Sequence, residues 1–182
     1  MKKIFFLIII LFLKTNAVAS VKQNIINNLN NIENLNFKFE QNINDRIETG
    51  HCIIEYPKKI FCEYDSPNKK LLVSNGRSIV IKTISSYYLY PIERTPLNSI
   101  LDKEFLLEKI EKFEPRSIDN KFINFNFLEN ENEINLFFDK KSFNLIGWQT
   151  IDIYQNLSIT YLSSITKNKK LKKNLFKLPD RN

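Results

Sequence analysis

The chain has 182 residues and carries 27 Lys and Arg against 20 Asp and Glu, a formal net charge of +7, with one histidine, two cysteines and three glycines. One histidine and two cysteines match no usual zinc-ligand spacing, and the isolated Gly50, Gly76 and Gly147 form no glycine-rich phosphate loop. No repeat of solenoid period is visible.

In chain order, the first nineteen residues come first. "MKK" is followed by the apolar run from Ile4 to Leu13 and by small residues at Ala17 to Ala19. That order predicts a cleavable secretory signal peptide over residues 1–19, because about ten apolar residues are too few for the roughly 20 that a membrane-spanning helix needs. Residues 20–182 then form the mature chain, expected to be soluble, exported and a single domain. Without Lys2, Lys3 and Lys14 its balance falls to 24 basic against 20 acidic side chains. The basic residues are dispersed except in "KNKKLKK" near the C-terminus, which in an exported protein reads as a solvated face or an acidic-membrane contact rather than a nucleic-acid arm.

Val21, Ile25, Leu29 and Ile32 recur at helical spacing and predict a short amphipathic helix. "NFKFEQNI" then alternates Phe37, Phe39 and Ile43 with polar residues, the pattern of a half-buried strand. "RIETGHCIIEY" and "KIFCEY" read as a hairpin, "KLLVSNG" and "RSIVIKT" as another joined at Asn75-Gly76, and "SYYLYPI" as the next strand. The period changes between residues 96 and 113, where Leu97, Ile100, Leu101, Phe105, Leu106, Ile110 and Phe113 predict one or two short helices beginning after Thr95-Pro96. Strands resume with "NKFINFNFL", "NEINLFFD", "FNLIGWQTIDI" and "LSITYLSSI". The sum is mainly β, about ten strands with helical cover.

Catalytic constellations are thin. His51 and Cys52 are adjacent on a strand, so alternation sends them to opposite faces and argues against a Cys/His nucleophile. No pair of carboxylates is arranged for acid-base work. Strand faces carrying Phe37, Phe39, Ile43, Ile53, Ile79, Ile81, Phe125, Phe127, Leu136, Phe138 and Trp148 are rich in large apolar groups. A half-closed barrel so lined can hold acyl chains; the competing reading is an ordinary packed core.

"FKFEQNI", "ETGHCIIEYPKKIFCEYDSPNKKLLVSNGRSIVI", "YYLYPIERTPLNSIL", "FNLIGWQTIDIYQNLSITYLSSI" and "NLFKLPD", in this order, resemble the outer-membrane lipoprotein carrier family, LolA. The resemblance runs over residues 21–180 and includes "LIGW" leading to Asp152. It implies an incomplete, half-closed antiparallel β-barrel of about ten or eleven strands, with an N-terminal helix and central lid helices enclosing a hydrophobic cavity. It further implies a monomeric, non-catalytic periplasmic chaperone without a cofactor. Such a protein takes acylated lipoproteins from an inner-membrane ABC transporter release complex and yields them to an outer-membrane receptor where one exists. A periplasmic carrier of another amphiphile, such as a glycolipid or free lipid, is the alternative.

Mapped onto the resemblance, the cavity set is Phe37, Phe39, Ile53, Ile81, Leu89, Phe125, Leu136, Phe138 and Trp148, and the lid set is Leu97, Ile100, Leu101, Phe105 and Leu106. Strand parity chooses these positions, and a bulge reverses it. The family commonly has Arg just before the hairpin proline, a lid-switch position where this chain has Tyr56, which lacks the guanidinium fork; Lys58, Lys59 and Arg77 are candidates to supply the charge. The resemblance also places Cys52 and Cys62 on the two arms of one hairpin turning near Pro57. With a two-residue loop, Tyr56 opposes Lys59 and the cysteines fall on opposite faces. With a three-residue loop, Glu55 opposes Lys59 and a disulfide is within reach.

Overall fold

The computed structural model describes residues 21–118, 121–129, 131–151 and 156–181. The expected leader, residues 1–19, and Asp152 lie outside the described residues.

Helix α1 (residues 21–30) buries Ile25, Ile26 and Leu29, exposes Asn27 and Asn30, and turns Asn28 to donate to the Phe143 carbonyl at 2.7 Å. Eleven strands follow: β1 (Asn34–Ile43), β2 (Arg46–Glu55), β3 (Lys59–Tyr64), β4 (Leu71–Asn75), β5 (Ser78–Lys82), β6 (Tyr87–Pro91), β7 (Arg116–Ile118), β8 (Phe122–Glu129), β9 (Asn132–Asp139), β10 (Leu145–Ile151) and β11 (Leu157–Lys167). Between β6 and β7 lie a 3-10 turn (Ile92–Arg94), α2 (Leu97–Ile100) and α3 (Lys103–Lys112). Ten of the strands lie where the sequence pattern and turn residues predict them. β7 does not: it has three residues, all exposed, and no pattern to betray it.

The strands form one antiparallel sheet in the order β6-β5-β4-β3-β2-β1-β11-β10-β9-β8-β7. β6 and β7 are its two edges, so the sheet curls without closing. The chain's two ends meet in the middle, where β1 pairs with β11, Phe39 opposite Leu162 and Gln41 opposite Thr160. Because neighbours alternate in direction, the turns at 56–58, 76–77 and 140–144 and the exit of β11 share one rim, here the upper. The turns at 44–45, 65–70 and 83–86 share the lower rim.

The core fills the concave side unevenly. α1 and α3 press on β1 and β8–β10, where Leu35, Phe125, Phe127, Leu136, Phe138, Leu106 and Ile110 are almost wholly buried. Phe105 meets Phe127 edge-on with centroids 5.9 Å apart, and Phe125 meets Phe138 at 5.8 Å. The four-residue α2 stands over the other half of the concave face and fills it only in part. On the convex side Val73 and Val80 are also buried, outside that core. There the C-terminal segment passes over the sheet: Lys59 Nζ lies 5.9 Å from the Phe176 ring centre and Lys82 Nζ donates to the Asp180 carbonyl at 2.9 Å.

The hairpin of β2 and β3 has the three-residue loop. Glu55 opposes Lys59, Cys52 opposes Cys62, and the two cysteines are joined in a disulfide with Cα atoms 4.1 Å apart. Lys58, at φ 63°, takes the left-handed conformation that lets so short a loop close. The bridge lies on the concave side, in the floor of the sheet.

Candidate functional site

Under α2 lies an open groove of ≈ 490 Å³. Leu72, Ile79 and Ile81 from β4 and β5 form one wall, with Leu97 and Ile100 as the ceiling and Trp148 at the back. The opposite wall is polar: Gln41 of β1, Thr150 of β10 and Ser158 of β11. Gln41 Nε2 donates to Ser158 Oγ and to Thr160 Oγ1, both at 3.2 Å, which fixes the amide against that wall. Tyr90 and Arg94 stand at the mouth. A smaller recess of ≈ 40 Å³ lies among Phe37, Phe39, Tyr64, Leu97, Trp148 and the disulfide.

Of the cavity set, Ile81 lines the groove, Phe37 and Phe39 line the recess, and Trp148 lines both. Trp148 is inward because of a bulge between Leu145 and Gly147, which lets Leu145 and Trp148 face the same side despite their odd spacing. Gly147 permits the approach of β11, since a Cβ there would sit 2.6 Å from the Thr160 carbonyl oxygen. Phe125, Leu136 and Phe138 differ from the expectation. They face the concave side, but the phenylalanines pack on one another beneath the core that α3 completes, and neither opening reaches them. Ile53 and Leu89 differ by parity. Ile53 pairs with Phe61 and Leu89 with Val80 on the convex face, and Leu89 is 55% exposed.

The lid set divides in the same way. Leu97 and Ile100 hang into the groove, while Leu101, Phe105 and Leu106 anchor the helices to the core. Polar lining residues escape a reading that looks for apolar faces. Ile43 and Ile79 line the groove and belong to the apolar strand faces read from the sequence, though not to the cavity set; Leu72 was not singled out, and strand alternation was its available signal.

The upper-rim hairpin holds the lid. Lys58 N–H donates to the Leu101 carbonyl at 2.7 Å, and Lys58 Nζ pairs with Asp102 Oδ2 at 3.1 Å. Asp102 is also the cap of α3, accepting from Phe105 N–H at 3.1 Å, so one carboxylate ties hairpin to helix. Tyr56 takes no part in that link. Its hydroxyl is buried without a hydrogen-bond partner among the described residues, and burial pushes its ionisation well above the usual phenol range. Lys59 instead pairs with Glu55 across the loop at 2.8 Å, and Arg77 is exposed on its turn. His51 is on the convex face, its Nε2 2.7 Å from Asn36 Oδ1.

Comparison with known proteins finds solved structures that this chain resembles. A LolA superfamily protein from Nitrosomonas europaea aligns at 10% identity over 87% of this chain and 98% of its own, with a TM-score of 0.45. LprF from Mycobacterium bovis aligns at 12% identity over 87% and 97%, with a TM-score of 0.50. A putative outer membrane lipoprotein-sorting protein domain from Vibrio parahaemolyticus aligns at 9% identity over 88% and 97%, with a TM-score of 0.48. No curated protein sequence matches. The family model described as outer membrane lipoprotein carrier protein LolA matches residues 30–179, from the end of α1 to the C-terminal segment across the convex face, and the chain therefore belongs to the LolA family.

Proposed function

We propose that this protein is a periplasmic lipoprotein chaperone. It takes the acyl chains of lipoproteins released by an inner-membrane ABC transporter complex, shields them from water, and yields them at the outer membrane without making or breaking a bond. Export by the leader at residues 1–19 and action as a monomer are parts of the same reading. The observation that carries it is the groove beneath α2, ≈ 490 Å³ with an apolar wall, an apolar ceiling and an open mouth. Water occupies about 30 Å³ per molecule in the liquid. A methylene needs similar room, so the groove accommodates on the order of 16 methylenes, one long acyl chain. Hiding such a chain removes about 0.8 kcal/mol of unfavourable exposure per CH₂.

The lid supports release as well as capture. α2 has only four residues and sits between the Ile92–Arg94 turn and the Lys58–Asp102 link, so its position depends on a few contacts at its ends. Further chains of a multiply acylated anchor require α2 to lift, which joins the groove to the recess beside the disulfide. Membership of a binding and carrier family, rather than an enzyme family, supports the absence of catalysis.

The polar wall of Gln41, Thr150 and Ser158 favours a second reading, a carrier for a free amphiphile whose head carries hydrogen-bonding groups. Mass spectrometry of the ligand co-purified from the native periplasm separates the two. An N-terminally acylated polypeptide supports lipoprotein carriage, and a free lipid or glycolipid supports the alternative.

A further inference from the structure

Topology gathers basic residues that are remote in sequence. The C-terminal run, which by sequence reads as a solvated face or an acidic-membrane contact, begins where β11 leaves the sheet, and it is held in place there. Lys169 N–H donates to Asn34 Oδ1 at 2.9 Å, Asn34 Nδ2 donates to the Lys169 carbonyl at 3.1 Å, and Glu33 N–H donates to Asn168 Oδ1 at 2.8 Å. From that clamp the segment runs along the upper rim to Lys59, beneath which Phe176 lies. Leu171 turns toward the protein, while Lys169, Lys170, Lys172 and Lys173 remain exposed and none forms an ion pair among the described residues. The neighbouring turns bring exposed Lys121 and Lys141 to the same rim, where the Lys140 N–H donates to the Lys121 carbonyl at 3.2 Å.

The lower rim has the opposite character. Its cations are offset: Lys70 pairs with Glu48, Lys109 pairs with Glu129, and Asp45, Asp65 and Glu131 are exposed beside them. Acids occur on the upper rim too, with Glu33 exposed at the clamp, Asp139 in the turn beside Lys141, and Glu55 and Asp102 engaged by Lys59 and Lys58, so what distinguishes this rim is the cluster of four exposed lysines at 169–173 that lack an ion pair among the described residues.

We propose that the upper rim is a docking surface for a bilayer rich in anionic phospholipid. Three features favour lipid over protein or nucleic acid. The charges are lysines, hydrated point cations suited to a diffuse layer of phosphates rather than to bidentate recognition. Protein interfaces are depleted in lysine and centre on buried aromatic or arginine anchors, which this rim does not present. Single-stranded nucleic acid requires exposed aromatic platforms between the charges, and none accompanies Lys169–Lys173. Because the backbone is clamped at Asn34, the lysines project from a fixed edge and lose little freedom on contact. The inference is independent of the acyl groove and adds a membrane-proximal orientation to it.

The test is co-sedimentation of the chain from Ser20 onward with vesicles of phosphatidylcholine, with and without phosphatidylglycerol. This chain contains the whole described core and the disulfide. Binding to the anionic vesicles that weakens with salt is expected, with little binding to phosphatidylcholine alone. Changing Lys169, Lys170, Lys172 and Lys173 together to Gln is expected to lower the partition coefficient on the order of 100-fold, since each lysine near an anionic surface contributes several-fold. Arg46→Gln with Lys69→Gln on the lower rim is expected to leave it within a few-fold. Failure to bind anionic vesicles, equal binding to neutral ones, or an equal loss from the lower-rim variant would overturn the proposal, as would capture by soluble poly-glutamate but not by lipid. Acyl-probe affinity measured on the same variants is expected to stay unchanged, so a failure at the rim is distinct from a failure of the groove.

Discussion

Replacing Ile81 with Asp tests whether the groove holds a hydrocarbon chain. Ile81 is half-buried, projects into the apolar wall between Leu72 and Tyr88, and faces the open side of the groove, so a carboxylate there can hydrate and the fold is expected to persist. If a chain of on the order of 16 methylenes fills the ≈ 490 Å³ space, a charge in the wall excludes the segment of chain beside it, taken as about four methylenes. At about 0.8 kcal/mol each the loss is about 3 kcal/mol, or roughly 200-fold in Kd. Ile81→Leu preserves volume and apolarity and is expected to change Kd less than about threefold. Leu97→Asp in the ceiling is the companion, expected to match Ile81→Asp in direction. The assay is equilibrium displacement of a fluorescent fatty-acyl probe, with thermal melts and circular dichroism as the fold control. Folded Ile81→Asp and Leu97→Asp proteins that both bind the probe within threefold of the parent would refute the groove as the acyl site.

Three further outcomes follow from local contacts. The Lys58–Asp102 pair has side chains 32% and 25% exposed, so a double-mutant cycle of Lys58→Met with Asp102→Asn is expected to give a coupling of about 0.5–1 kcal/mol that shrinks with salt; zero coupling in denaturant melts would remove the pair as the lid's tie. Tyr56→Phe deletes a buried hydroxyl that has no partner and is expected to leave stability unchanged or raise it by up to about 1 kcal/mol, whereas a loss of that size would mean the hydroxyl is satisfied. Cys52 and Cys62 are separated by 10 residues, and removing the bridge as the double Ser variant is expected to cost about 3 kcal/mol through the freedom regained by the unfolded chain. That loss should appear as a fall in Tm of roughly 6–12 °C, and unchanged Tm values would show that the hairpin register needs no staple.

Much of the fold was legible because strand alternation is local. Ten of the eleven strands, the helical interruption after Pro96 and the opening helix follow from periodicity and turn residues alone. β7 was not legible, since three exposed residues at an edge, Arg116–Ile118, pack against too little to leave a pattern. The site was legible in part. Alternation shows that Phe37 and Phe39 share a face, and the structure puts them in the recess. It cannot show that α3 seals Phe125, Leu136 and Phe138 into the core while the shorter α2 leaves a groove beside Ile79 and half-buried Ile81.

By itself, then, the sequence determined the β-rich character, the hairpin that carries both cysteines and the family likeness, all of which depend on short-range pattern and order. Tertiary structure decided what depends on register and on neighbours far along the chain. One residue of loop length set Cys52 opposite Cys62, and one bulge turned Trp148 inward. Pairing of β1 with β11 brought Gln41 against Ser158 and Thr160 to give the groove a polar wall. The antiparallel order carried Lys121, Lys141 and the C-terminal lysines to a single rim. A side chain's facing repeats every two residues and any insertion inverts it, so the strands could be read locally but the faces only from the assembled sheet.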